Sequence, residues 1–87
     1  MVFYYEVYGY DPATRKSISV EFSTELDYWY RHDHKTFLSK LLETHPELKD
    51  WPQISVSDFA SEYLYEKDGN GNYDVFEHYT FVEFDEE

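Results

Sequence analysis

Residues 61–80 read SEYLYEKDGNGNYDVFEHYT, two runs rich in tyrosine on either side of a short loop. The loop contains Asp68-Gly69 and Asn70-Gly71, and both dipeptides are typical of two-residue β-hairpin turns. Centring the turn on Asn70-Gly71 gives three favourable cross-strand pairs: Lys67 with Asp74, Tyr65 with Phe76, and Tyr63 with His78. Centring it on Asp68-Gly69 instead opposes Tyr65 to Asn72 and loses the aromatic pairing. The first register is therefore predicted.

That register divides the hairpin into two faces, because successive strand residues point to opposite sides of a sheet. The face expected to pack on a helix carries Tyr63, Tyr65, Phe76, His78, Thr80, Val82 and Phe84. The outward face carries Glu62, Leu64, Glu66, Val75, Glu77, Tyr79, Phe81, Glu83 and Asp85. The outward face is thus a file of carboxylates interleaved with aromatic rings. A helix beginning near Ser57-Asp58 is an alternative for residues 58–66, and it would shorten the hairpin.

The N-terminal residues predict a second hairpin. Residues 2–8 are rich in strand formers, and residues 16–22 alternate strictly between apolar and polar positions. In the first strand, one face carries Phe3, Tyr5 and Val7, and the other carries Val2, Tyr4, Glu6 and Tyr8. In the second strand, Ile18, Val20 and Phe22 point inward. The turn between them contains Asp11-Pro12, a common turn signal.

After Ser23-Thr24 the period of the apolar positions changes from two to about 3.6, which predicts an amphipathic helix. Its apolar stripe consists of Leu26, Trp29, Tyr30, Phe37, Leu38, Leu41 and Leu42. Thr24 is the expected capping residue, and the helix should end near residue 43 or 44 because Pro46 disfavours helix at His45. Residues 46–50 fit one further helical turn, and residues 53–56 fit a short strand or an extended connection.

These elements predict an α+β fold, an antiparallel sheet of four to five strands packed against one main helix, in the order ββα followed by a C-terminal β-hairpin. The 87 residues form one domain spanning 1–87, with a short acidic tail at 85–87. No apolar run approaches the ~20 residues of a membrane span, and the N-terminus lacks a basic signal-peptide region. We therefore expect a soluble, cytoplasmic protein.

Several kinds of chemistry are excluded or disfavoured. The chain has no cysteine, so it has no disulfide and no thiolate ligand or nucleophile. Asp68, Asn70, Asn72 and Asp74 imitate the start of a calcium loop, but position 12 is Tyr79 rather than glutamate. His32 and His34 are two residues apart and point about 200° apart in a helix, so they cannot share a metal ion. We expect no enzyme activity, no catalytic residue, no metal and no cofactor.

Charge is the informative feature. The formal net charge is −12, and residues 50–87 carry 11 acidic residues against one base, Lys67, a sum of −10. So negative a chain is unsuited to direct binding of nucleic acid or of an anionic membrane surface. The ten tyrosines exceed what one small core can bury with every hydroxyl bonded, and tyrosine is favoured at protein interfaces.

These observations predict an acidic protein-binding module that docks on a basic protein surface, such as the nucleic-acid-binding cleft of a nuclease. By analogy of class, phage anti-defence proteins of the anti-CRISPR and anti-restriction kinds act as such nucleic-acid mimics. The residues expected to carry binding are Glu62, Glu66, Glu77, Tyr79, Glu83 and Asp85. The alternative is a housekeeping interaction or oligomerisation domain whose acidic face is only solvated. The sequence leaves the oligomeric state open.

Overall fold

The computed structural model describes residues 2–25, 34–58 and 61–80. Its elements in chain order are strand β1 (Phe3–Asp11), strand β2 (Lys16–Thr24), helix α1 (His34–Thr44), a 3₁₀ helix (Pro46–Asp50), and strands β3 (Gln53–Ser57), β4 (Ser61–Lys67) and β5 (Tyr73–Thr80). The five strands form one antiparallel sheet in the order β2-β1-β3-β4-β5. The predicted α+β class, with the helix between the N-terminal strands and a C-terminal hairpin, is confirmed.

The N-terminal hairpin has the predicted faces. β1 and β2 pair without interruption from Phe3 opposite Thr24 to Asp11 opposite Lys16. Tyr5 and Val7 are buried, and so is Phe22 on the facing strand, whereas the intervening residues of both strands are mostly exposed. The alternation in sequence therefore sorts into a helix-covered face and a face turned away from the helix.

Helix α1 covers the sheet with a short apolar stripe. Its buried residues are Phe37, Leu38 and Leu41, three members of the predicted stripe. The Phe37 ring meets the rings of Tyr5 and Phe22 edge to face, with centroids 5.2 and 5.4 Å apart. The helix ends at Thr44 as predicted, and residues 46–50 form the expected further turn. The predicted cap, Thr24, is the last residue of β2, and residues 26–33, where the helix was expected to begin, lie outside the described residues.

β3 lies in the centre of the sheet, between β1 and β4. Sequence left this segment as either a strand or an extended connection, and the structure shows a strand with Ile54 and Val56 buried. Opposite Ile54 on β1 is Gly9, where an added Cβ would lie 2.7 Å from Cγ of Trp51. The absence of a side chain at Gly9 therefore lets Trp51 pack onto the sheet. β3 therefore lies between the two hairpins and joins them into one sheet.

The predicted register of the C-terminal hairpin is wrong over half of its length, the half next to the loop. Tyr63 does lie opposite His78, but a β-bulge at Leu64/Tyr65 then shifts the pairing by one residue, so Tyr65 lies opposite Val75 and Lys67 opposite Tyr73. The predicted pairs Tyr65–Phe76 and Lys67–Asp74 are therefore wrong. Val75 moves to the helix-covered face, and Phe76, expected in the core, is 44% exposed. β4 is a strand from Ser61, which excludes the helical alternative for residues 61–66.

The physical cause of the shift is the loop. Instead of a two-residue turn, residues 68–72 form a five-residue loop in which the backbone N–H of Asp68 donates to the carbonyl of Asn72 over 2.7 Å. The Asp68 carboxylate accepts backbone N–H groups of Asn70 and Asn72 at 2.8 and 3.0 Å. Gly71 takes a positive φ of 86°, which glycine adopts at little cost. These bonds favour the longer loop. Beyond the bulge the strands return to the predicted pairing, with Tyr63 opposite His78.

Tyr73 ties this hairpin to the 3₁₀ helix. Its hydroxyl lies 3.0 Å from the carbonyl oxygen of Leu48 and also within hydrogen-bond distance of the carbonyl oxygen of Trp51. Burial, with a smaller contribution from the charge of Asp50, raises the Tyr73 pKa to about 12. The hydroxyl is therefore held in its neutral, donating form.

Candidate functional site

The face of the sheet opposite helix α1 is the candidate site. We call it the open face, and it comprises the side chains that alternate with the core positions on all five strands. The members are Tyr4, Glu6, Tyr8 and Tyr10 on β1; Ser17, Ser19, Glu21 and Ser23 on β2; Gln53, Ser55 and Ser57 on β3; Glu62, Leu64 and Glu66 on β4; and Asp74, Glu77 and Tyr79 on β5. No described element packs on this face, and Tyr4 is 75% exposed.

The register arranges these side chains in rows that cross the strands. One row runs Glu21, Glu6, Ser57, Glu62, Tyr79, and another runs Ser17, Tyr10, Gln53, Glu66, Asp74. Within them Glu6 lies directly opposite Glu21, and Glu66 directly opposite Asp74. Directly opposed residues have Cα atoms about 4.5–5.5 Å apart, so each pair opposes two negative charges at close range.

Hydrogen bonds fix two of the open-face carboxylates, those of Glu62 and Glu66. The Ser55 hydroxyl donates to Oε2 of Glu62, and the Gln53 side-chain amide donates to Oε2 of Glu66 over 3.3 Å. On β5, interaction with the neighbouring Glu77 carboxylate is the main cause of the raised Tyr79 pKa. Each donor satisfies one lone pair and leaves the remaining acceptor sites of the carboxylate available.

The open face carries no described lysine or arginine. Among the residues with a described position, the basic side chains are Arg15 and Lys16 at the first turn, Lys35 and Lys40 on α1, Lys49 in the 3₁₀ helix, and Lys67 on the helix-covered face of β4. Lys67 Nζ donates to the backbone carbonyl of Lys49 and lies 5.5 Å from the Tyr73 ring centroid. No described lysine or arginine lies within 4.0 Å of an open-face carboxylate. These carboxylates are therefore not neutralised by the described part of the chain.

The structure brings four of the six predicted site residues together. Glu62, Glu66, Glu77 and Tyr79 all lie on the open face, on two adjacent strands. Glu83 and Asp85 lie outside the described residues.

Sequence reasoning missed the contribution of the N-terminal hairpin. Glu6 and Glu21 lie on the same face as Glu62, although the N-terminal 49 residues have a charge sum of only −2. Tyr8 and Tyr10 accompany them. The available signal was the alternation that placed Tyr4, Glu6 and Tyr8 on one face. It became informative only once β3 was known to pair with both hairpins.

The calcium-like loop and the histidines considered from the sequence show no sign of binding a metal in the described residues. Asp68, the first residue of the imitated calcium loop, uses its carboxylate to hold the backbone of the turn. His34 Nδ1 lies 2.9 Å from the Tyr65 hydroxyl. Within residues 2–25, 34–58 and 61–80, no group of three or more metal-ligating side chains converges.

Comparisons with family models, with curated proteins and with solved structures find no match to this chain. Over the described ranges, no helix has the length and apolar character needed to cross a membrane. The functional interpretation therefore depends on the chemistry of the open face.

Proposed function

We propose that this protein is an acidic binding module that places its open face against a basic surface built to hold nucleic-acid phosphates. One observation supports this above the others: Glu6, Glu21, Glu62, Glu66, Asp74 and Glu77 share one face of a single sheet that has no described cation. An analogous use is that of a nucleic-acid mimic that inhibits a nuclease, as phage anti-defence proteins do.

The spacing of the carboxylates suits such a role. Neighbouring strands lie about 4.7–4.9 Å apart, so the six carboxylates spread over a sheet roughly 20 Å wide. Carboxylates on adjacent strands therefore lie within one Debye length of each other, about 10 Å at 0.1 M salt, so their fields overlap and together attract a basic cleft. Because the frame is a paired sheet, the backbone that carries the carboxylates is already ordered, and binding has to order only their side chains.

The tyrosines supply contact area between the charges. Tyr4, Tyr8, Tyr10 and Tyr79 are exposed by 75, 41, 38 and 45%. A tyrosine ring brings apolar area with a polar tip and loses little conformational freedom, which is why the residue is enriched at the energetic centres of interfaces. The open face therefore combines long-range attraction with short-range contact.

The like-charge pairs are further support. Opposed carboxylates across two strands destabilise a sheet, by some tenths of a kcal/mol per pair. The described strands contain two such pairs, Glu6–Glu21 and Glu66–Asp74, where serine or threonine would remove the repulsion. A binding role explains why they are present.

The test begins with capture of partners from the native host lysate at low salt. Each captured nucleic-acid-binding protein is then titrated, in complex with a fluorescently labelled duplex, and anisotropy reports whether the duplex is displaced. The test variant is the double reversal Glu66→Lys with Glu77→Lys, and the matched control is Glu43→Lys with Glu47→Lys. Both change the net charge equally at exposed residues, but Glu43 and Glu47 lie on α1 and the 3₁₀ helix.

We expect the wild type and the control to displace the duplex and the open-face variant to fail, with displacement weakening as salt rises. Equal displacement by both double variants would show that net charge, not the open face, is responsible. If the folded open-face variant binds the captured partner as tightly as the wild type does, the proposal is wrong, and the open face is only a solvated surface.

The alternative, an oligomerisation domain joined through exposed tyrosines, meets an electrostatic obstacle on this face. Two open faces packed together would oppose six carboxylates to six others, without a described lysine or arginine to compensate. Any self-association at neutral pH is therefore better served by another surface.

A further inference from the structure

A cleft lies on the open face at the end of the sheet where β3 stops. β1 pairs with β3 only as far as Glu6, which lies opposite Ser57, so no described strand lies on that side of Tyr4. The cleft has a volume of about 560 Å³, and its lining includes Tyr4, Glu6, Glu21, Ser23, Ser57 and Asp58. Tyr4 lies opposite Ser23, so its large ring stands beside a small side chain on the other strand.

We propose that this cleft receives an arginine side chain of the basic partner, with its guanidinium stacked on the Tyr4 ring and bonded to the carboxylates of Glu6 and Glu21. The inference rests on the proposed function and names the partner residue that the open face selects. Three properties of the cleft support it: an uncovered aromatic ring, two carboxylates without a described donor, and room for a planar cation.

The Tyr4 ring is available for stacking. Tyr4 is the most exposed of the large apolar side chains among the described residues. Within the described ranges no ring or cation stacks on it, and the ring contacts there lie on the helix-covered side of the sheet, as between Tyr5 and Phe37. A guanidinium is planar and weakly hydrated, so it can lie flat on a tyrosine ring.

Glu6 and Glu21 supply the acceptors. They lie directly opposite each other on β1 and β2. The described hydrogen bonds from Ser57 and His45 go to the backbone oxygens of Glu6 and Glu21, not to their carboxylates. The N–H donors of a guanidinium fan out around its plane and can reach two carboxylates at once. An arginine between them would therefore replace their mutual repulsion by two attractions.

The same chemistry separates arginine from lysine. An ammonium is a compact, strongly hydrated point charge without a planar surface. The charge of the cleft attracts it as strongly at long range, but it gains less from the Tyr4 ring and from the two carboxylates. We therefore expect the cleft to prefer arginine although both side chains carry one positive charge.

The test compares two peptides of equal length and charge: heptalysine, and the same peptide with arginine at its central position. Each is titrated into the protein at low salt by isothermal titration calorimetry, and backbone amide shifts in NMR spectra locate the site. We expect the arginine peptide to bind about fivefold more tightly than heptalysine. It should also shift the amide signals of residues 4–6 and 21–23 more strongly.

Three variants assign the preference to the cleft. Tyr4→Leu keeps an apolar side chain but removes the ring, and it should bind the two peptides equally. Tyr4→Phe keeps the ring and should retain the preference. Tyr79→Leu is the matched control and should also retain it, because it removes an exposed open-face ring that does not line the cleft.

The outcomes separate this inference from the proposed function. If the wild type binds both peptides equally, or if Tyr4→Leu keeps the full preference, the cleft does not select arginine, although docking on a basic surface still stands. Loss of the preference in Tyr4→Phe or in Tyr79→Leu would likewise overturn the assignment to the Tyr4 ring. If neither peptide binds at low salt, both the proposed function and this inference are wrong.

Discussion

The opposed carboxylates of Glu6 and Glu21 should make the protein less stable than it would be with a neutral side chain at either position. Two unit charges about 5 Å apart repel by about 0.8 kcal/mol in water, and screening at 0.15 M salt reduces this to about 0.4 kcal/mol. Glu6→Gln keeps the shape and removes the charge. We expect the free energy of unfolding to rise by about 0.4 kcal/mol at 0.15 M salt and to approach the unscreened value at low salt.

Urea unfolding followed by tryptophan fluorescence measures this change. A double-mutant cycle with Glu21→Gln isolates the pair, because the second substitution should add almost nothing once the first has removed the repulsion. Repeating the cycle at about 1 M NaCl, where the Debye length is about 3 Å, should abolish the coupling. Glu43→Gln on α1 is the control, since this exposed glutamate lies on the other side of the molecule.

The reasoning fails if Glu6→Gln lowers stability at low salt, or if the coupling is absent there. Either result would mean that the two carboxylates do not meet as the register places them. The same variant should bind the basic partner more weakly. Stability and binding are therefore expected to move in opposite directions at this position, as they commonly do at functional sites.

Three further predictions concern the fold. Gly9→Ala should lower stability by about 1–3 kcal/mol, because the new methyl would meet the Trp51 ring, and in a Trp51→Ala background the same change should be neutral or stabilising; urea melts of the four proteins decide it. Leu41→Ala should cost about 2–5 kcal/mol, several times the effect of any single open-face carboxylate, because Leu41 is fully buried. If its loss in the same melts is no larger than that of Glu77→Gln, the core is misplaced. The raised pKa of Tyr73 stabilises the fold fully below about pH 10, the unfolded value, and this stabilisation is lost as pH rises through about 12. Alkaline unfolding should therefore be less steep in Tyr73→Phe than in the wild type, and parallel curves would contradict the assignment.

Sequence patterns predicted the parts of the fold that depend on local periodicity. The alternation around Val20 and the spacing of Phe37 and Leu41 identified buried faces, because a single strand or helix must turn its apolar side inward. The place of β3 in the sheet could not be predicted in this way, because the sequence of a five-residue strand does not specify which strands pair with it. The bulge at Leu64/Tyr65 likewise depends on the hydrogen bonds of the Asp68 loop, which two turn signals in succession do not specify.

Only the C-terminal part of the candidate site was predicted from the sequence. The C-terminal carboxylates were evident from the charge sum, but Glu6 and Glu21 join them only through the pairing of β1 with β3. Charge summed along a chain detects residues that are close in sequence. Glu6 and Glu62 are 56 positions apart and share a row only in the folded sheet.

The described lysines and arginine lie away from the open face, so the charge of the described residues is distributed unevenly across the molecule. With six carboxylates on one side of the sheet and the described lysines near the helix or at the sheet ends, the centre of charge is displaced from the centre of mass. Such a molecule has a large dipole moment and experiences a torque in the field of a basic protein. Under the proposed function, this torque would turn the sheet toward the basic partner before contact, so that a larger fraction of diffusional collisions would arrive in the orientation that can bind.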